Sequence, residues 1–269
     1  MAASFAPTPH KEAAAAIRSK PALSRSAFDK LLPDLRGRAL TITGVESVKV
    51  MERVRESIAS LAEGRTWDEA KADIAASLDP WLGEEASGER ATLLLRTHGF
   101  QAFQAANWEV AQSDADTTHL QYLATEDDAV RDSHLALNGL ILPKTDPFWD
   151  DHYPPWDWGC RCRVRPMNPD MVEMERKADR ERNPDARLVM DGPALEQLRN
   201  GSLLRDGRAY NVTAPANTNV ENAYSWHPST LRIPVSELKR RFSSADWRVF
   251  EDFARRHKVG ERTLWDWLN

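Results

Sequence analysis

Between Gly139 and Gly159 the chain sets Gly139, Pro143, Pro147, Pro154, Pro155 and Gly159 among Phe148, Trp149, Tyr153, Trp156 and Trp158. Each proline removes a backbone donor and fixes φ, so no long helix can run through this stretch. Aromatic residues at this density are equally foreign to a disordered linker. The stretch has to be an ordered substructure built from loops, with the regular elements supplied from either side. Cys160 and Cys162 follow at once, and they are the only cysteines in the chain. A disulfide between residues i and i+2 is strained. The pair therefore reads as metal ligands, or as buried thiols in a reducing compartment.

The flanking sequence predicts helices before this segment and a mixture after it. Residues 8–19 read as an Ala-rich helix stopped by Pro21. Ser24 or Ser26 caps a second helix through Leu32, ended by Pro33. The run 39–44 is β-prone. Val48, Met51, Val54, Ile58 and Leu61 keep helical spacing over 45–62. Thr66 and Glu69 form a capping box that opens a helix over 67–78, broken by Pro80 and Gly83. Residues 87–112 are helical, 119–123 a strand, and Thr125 with Asp128 another helix start. A strand over 160–164 closes the loop-rich part. Residues 168–187 are a charged helix or linker, and 188–234 are loops or short strands. Helices over 245–258 and 261–268, joined at Val259-Gly260, end the chain. The fold class is α+β: a mostly helical N-terminal half, a small loop-rich α/β unit around Cys-Arg-Cys, and a C-terminal helical hairpin. The implied domains are 1–86, 87–166, 167–234 and 235–269.

Formal net charge is −5, against what a chain that coats nucleic acid non-specifically would carry. No apolar run is long enough for a membrane span, and the first residues lack the apolar core of a secretory leader. Both features predict a protein made and kept in a cytoplasm, with no membrane partner.

Chemistry concentrates between Thr125 and Cys162. If 127–135 is helical, Arg131 and His134 share one face. His134, His152, Cys160 and Cys162 compose a zinc-type donor set, with Asp146 or Asp151 able to replace one histidine. The competing reading puts both cysteines on a strand as plain thiols, with His134 capping a loop. Arg131, His134, Asp146 and His152 could also compose a reaction centre. No P-loop, G-x-S-x-G or H-E-x-x-H accompanies them, so no catalytic residue is assigned. Arg131 is expected to pair with Asp127 or Asp128, or with a nearby loop carbonyl. Trp149, Trp156 and Trp158, stiffened by Pro154-Pro155 and Gly159, form either a docking knob or a small core. At the C-terminus a helix-turn-helix reader of DNA competes with an anchor in which Trp265, Trp267 and Leu268 bind another subunit. Glu261 and Asp266 beside a single Arg262 disfavour the DNA reader.

The order Thr125, Arg131-x-x-His134, Gly139, Asp146, Trp149, Pro154-Pro155, Gly159-Cys160-Arg161-Cys162 resembles the signature of the phage Mu F-like head-morphogenesis family. Gly64-Arg-Thr-Trp67 and the 94–97 element resemble its upstream helices, so the likeness covers about residues 5–166. The resemblance implies a non-enzymatic minor head protein of a tailed phage. It would act in the procapsid near the portal and be carried in the head, after assembly in the host cytoplasm. Portal protein, and major capsid or scaffolding protein, are the implied partners, with contact to packaged DNA left open. Zinc is the one cofactor in view. The alternatives are a toxin or metal-dependent enzyme carrying such a domain, and a DNA-binding protein. Residues 168–269 show no catalytic constellation, and His227 and His257 stand alone.

Overall fold

The computed structural model describes residues 10–157, 159–182, 192–205, 207–214, 228 and 235–269. They divide into two compact units, one from 1–106 with 228–269, the other from 107–227.

The first unit starts with α1 (Lys11–Arg18). Ser24 caps the single turn α2 (Arg25–Phe28). Pro33 does not end that helix but opens the next, α3 (Pro33–Arg36), because the first helical turn has no use for the missing N–H. The β-prone run reduces to one parallel bridge, Ala22 to Leu40, for want of a partner run. Ser47 caps α4 (Val48–Ala62), which buries Met51, Val54, Ile58 and Ala62. Thr66 and Glu69 make both bonds of the capping box on α5 (Trp67–Leu82). Pro80 lies inside that helix. Near the C-terminal end it removes only one ladder bond, and Gly83, at φ 80°, ends the helix instead. The chain then runs through α6 (Glu84–Leu94), a π turn over Leu95–Gly99 and α7 (Phe100–Ser113). The faces of α1, α4, α5 and α6 meet in one core around Ile17, Val54, Ile58, Ile74 and Leu95. The π turn sets His98 beside Lys20, whose ammonium lies 3.4 Å from the His98 Nδ1 and donates to Gln101 Oε1 at 3.2 Å. Lys20 is 3% exposed, and burial pushes its pKa down to about 8.

The second unit centres on an antiparallel sheet of order β2-β1-β3, formed by β1 (His119–Leu123), β2 (Ile141–Pro143) and β3 (Arg163–Met167). Leu120 opposes Leu142 on one side and Pro166 on the other. As the middle strand, β1 buries Leu120, Gln121 and Tyr122 alike, which is why its sequence alternates so weakly. Between β1 and β2 lies α8 (Asp132–Ala136), and α9 (Phe148–His152) follows β2. The closing strand starts at Arg163, so the two cysteines belong to the loop before it. Lys144 donates to the carbonyls of Ala111, Gln112 and Asp114, capping the end of α7.

The charged stretch is the helix α10 (Pro169–Arg182). Beyond it, α11 (Gly192–Arg199) leads into the hairpin of β4 (Ser202–Arg205) and β5 (Arg208–Asn211). These elements grip the signature region. Arg199 pairs with Asp146 at 2.7 Å, and Arg208 with Asp132 at 2.8 Å. Arg205 donates to the carbonyls of Ala136 and Asn138 at the end of α8. A side chain at Gly201 would run into Thr213, so glycine alone permits this approach.

The chain returns to the first unit with α12 (Val235–Leu238) and α13 (Ser244–Arg256), the latter capped by Ser243. A two-stranded ribbon, β6 (Lys258–Val259) with β7 (Arg262–Thr263), then turns at Gly260. The last helix, α14 (Leu264–Leu268), is five residues long and starts at a Thr263–Asp266 capping box rather than at Glu261. It packs with Trp247 and Phe250 on Leu23, Leu31 and Leu35, and Arg38 donates to the Leu268 carbonyl. Among the described residues no helix is long and apolar enough to cross a membrane.

Candidate metal centre

The second unit brings His134, Cys160 and Cys162 together, all buried, with ligand atoms within 4.8 Å of one another. The helix expected over 127–135 is not what positions His134. Thr125 caps no helix there; its hydroxyl donates to the Arg161 carbonyl. The chain turns at 128–129, Arg131 takes the cap position, and His134 sits in the one-turn α8. Arg131 lies 3.5 Å from Asp157, not from Asp127 or Asp128. Asp127 pairs with Arg161 instead, and that pair with the Thr125 bond ties the Cys-x-Cys loop to the chain after β1.

His134 Nδ1 stands 3.6 Å from Cys162 Sγ. Two ligands of a tetrahedral zinc, with bonds near ~2.05 Å to nitrogen and ~2.3 Å to sulfur, lie about 3.5–3.6 Å apart. The observed separation thus suits a shared metal as well as a weak hydrogen bond. The other ring nitrogen, Nε2, is buried with no partner among the described residues. Cys162 is pushed strongly toward the thiolate, first by a hydrogen bond from Cys160 and then by His134 and Tyr122, against the cost of burial. Cys160 is pushed the other way by the same bond and by burial. A buried sulfur already disposed to carry charge beside an imidazole is a donor set that a soft divalent cation fits.

Two further residues surround the sulfurs. The Trp156 ring stacks on His134 at 4.0 Å and 15°, and its indole N–H donates to the Tyr122 hydroxyl at 2.8 Å. Tyr122 is also among the groups that draw Cys162 toward the thiolate. Sequence reasoning did not assign Tyr122 to the site, since no spacing links a mid-strand tyrosine to Cys160. Trp156 was legible only as one indole of a cluster.

His152 stands apart from the three ligands. Its Nε2 lies 2.6 Å from the Val212 carbonyl and its Nδ1 3.2 Å from that of Phe148, while its ring stacks on Phe148. It ties α9 to the chain after β5. Asp146 accepts from the Phe148 N–H and from Arg199. Trp149 is fully buried and donates to the Pro143 carbonyl. Gly139 returns the chain to the sheet by donating to the Tyr122 carbonyl. Pro154-Pro155 is a cis pair, and Gly159 turns at φ 69° just before Cys160. Trp158 and His227 lie outside the described residues.

At the other end of the chain, Leu268 is buried, while Trp265 and Trp267 are half-buried. Arg255 covers the Trp265 ring at 4.1 Å, and Arg262 and Arg55 lie over Trp267 at 5.1 and 5.4 Å.

A helical unit and a small antiparallel unit that buries a His-Cys-Cys set define the class: an α+β protein in which His134, Asp146, Trp149, Pro154, Pro155, Cys160 and Cys162 of the signature are buried, while Arg131 and Gly159 are exposed. Residues 48–165 match the family described as Phage Mu protein F like protein. The Mu-like prophage FluMu F protein of Haemophilus influenzae is 31% identical over 151 residues, covering 51% of this chain and 36% of that protein. The F protein of Escherichia phage Mu, whose name proposes capsid assembly, is 28% identical over 178 residues, covering 60% of this chain and 40% of that protein. The matches thus span well under half the length of either relative. No solved structure matches the chain.

Proposed function

We propose that this chain is a structural assembly protein of a tailed-phage head. It acts in the procapsid near the portal, contacts portal and major capsid or scaffolding protein, and stays in the finished head. The observation that carries this reading is the Mu F-like match over 48–165, together with a relative named for capsid assembly. The site geometry is in keeping with it. Thr125, Arg161, Gly139, Asp146 and Trp149 are all spent on holding loops together. The natural test deletes the gene in the phage or prophage and images the particles. Aberrant or absent heads, rescued by the intact gene, are expected. Normal heads, with the chain missing from purified virions, would sink the proposal.

Within this role His134, Cys160 and Cys162 hold one zinc ion, which supplies a cross-link between α8 and the loop before β3. Three protein donors leave one of zinc's usual four positions to another group. Burial of all three suits a structural ion better than a reaction centre. A DNA-reading role for the C-terminus is not favoured, because the would-be recognition helix is a five-residue turn behind a ribbon.

A further inference from the structure

We propose that Asn200 is the site of a slow chemical modification, deamidation to aspartate and isoaspartate, and that this modification loosens the hold of α11 and the β4–β5 hairpin on the signature region. The chain carries two Asn-Gly pairs, Asn138-Gly139 and Asn200-Gly201. An asparagine followed by glycine is the least hindered setting for this reaction, because glycine has no side chain to obstruct its own nitrogen. The structure treats the two pairs differently. At Asn138 the side-chain oxygen accepts from the Ala124 N–H at 3.0 Å and the side-chain nitrogen donates to Glu126. The Gly139 N–H, the group that would have to attack, is held at 2.8 Å by the carbonyl of Tyr122 in the middle strand. Freeing it means opening the sheet. At Asn200 the side chain is exposed, and among the described residues nothing holds its amide. The Gly201 N–H donates to the Leu198 carbonyl at 3.0 Å, a bond at the end of α11 of the kind that opens first. Asn200 also lines an open cleft with Pro147, Phe148, Asp151 and His152, so water reaches it.

In the reaction the Gly201 nitrogen attacks the side-chain carbonyl carbon of Asn200 and loses its proton, and the amide nitrogen leaves as ammonia. The cyclic imide so formed takes up a water molecule and opens at either carbonyl, to aspartate or to isoaspartate. The isoaspartate product routes the backbone through the former side chain and lengthens it by a carbon. Gly201 has no slack for that. A Cβ placed on it would stand 2.3 Å from Thr213 Oγ1, and its carbonyl accepts from the Val212 N–H at 2.9 Å. Either product also sets a new carboxylate next in sequence to Arg199, where it competes with Asp146 for the guanidinium. The modification therefore acts on the ion pair by which α11 grips Asp146.

The test ages the full chain in warm, mildly alkaline buffer and samples it over time. Peptide mass spectrometry follows the exchange of amide for acid at each Asn-Gly pair, and an isoaspartyl methyltransferase counts the isoaspartate. Asn200 is expected to convert roughly tenfold or more faster than Asn138, because local opening at a helix end costs less than opening the sheet. Asn200→Ser, which has no amide to lose, should abolish the fast phase. The aged wild-type chain should unfold at lower urea than the fresh one, as should fresh Asn200→Asp, while aged Asn200→Ser keeps its midpoint. No conversion at Asn200, or conversion no faster than at Asn138, would overturn the assignment. Conversion at Asn200 with an unchanged unfolding midpoint would overturn the loosening.

Discussion

The two tryptophan clusters look alike in the sequence and are used in opposite ways. Around the cysteines, Trp149 and Trp156 are 0% and 3% exposed, and each indole N–H has a hydrogen-bond partner. At the C-terminus, Trp265 and Trp267 stay half-exposed beneath the guanidiniums of Arg255, Arg262 and Arg55. In the first cluster the indoles are interior parts with directional bonds. In the second, Trp267 also donates to the Val259 carbonyl, but both indoles sit at the rim of the core with faces covered by cations on flexible stems. A run of aromatics therefore does not by itself mean a docking surface. Sequence distinguishes the cases only through what stands nearby: turn formers and thiols in one, arginines at helical spacing in the other.

The sharpest way to break this comparison is Trp156→Ala. Losing a buried indole, its stack on His134 and its bond to Tyr122 should destabilise the second unit by about 3–5 kcal/mol in denaturant unfolding. A loss no greater than that of a surface substitution would contradict the description of the cluster as an interior.

Lys20 sharpens the contrast between cations over rings and a cation sealed inside. Its folded pKa of about 8 lies below the ordinary lysine value, so the folded state favours the neutral amine. The unfolded chain then binds the extra proton between pH 8 and the ordinary value of roughly 10.4, and stability rises with pH across that window. The burden of burial is complete below pH 8 and amounts to about 3 kcal/mol. Lys20→Met should flatten this part of the stability profile. An unchanged slope would show that Lys20 finds an anionic partner in solution.

Arg199→Ala tests the grip of the later elements on the signature region. It leaves the nearly buried Asp146 carboxylate with only the Phe148 N–H, and should cost about 1–2 kcal/mol, reduced by the half-exposure of Arg199 itself. The smallest effect belongs to the rim. Arg255→Ala, which uncovers Trp265, should cost about 0.5–1 kcal/mol. A larger loss would make the C-terminal cluster as interior as the first.

Much of the fold was legible because local signals were strong. The Thr66–Glu69 box, the spacing of Met51 to Ile58 and the cap at Ser243 each place a helix end or face by short-range chemistry. The misread places are those where a side chain was committed to a distant partner. Thr125 reads as a cap, but its hydroxyl serves Arg161, 36 residues on. Arg131 reads as a partner of its acidic neighbours, but lies by Asp157. Glu261 reads as helix, yet a tight turn at Gly260 and the Thr263–Asp266 box delay the helix to Leu264. That second box was visible in the sequence and would have located the start. In the site, the Cys-x-Cys pair and His134 could be picked out by residue type, whereas the sheet register that sets Tyr122 beside Cys162 is set by long-range pairing of β1 with β3. His152 resembles a ligand in sequence. Its two backbone carbonyl contacts give it another task.

Zinc content of the full chain, purified without added metal, decides whether an ion closes the buried His134, Cys160 and Cys162 set. One zinc per chain is expected, lost together with thermal stability in Cys162→Ser. A metal-free chain of unchanged stability would contradict it.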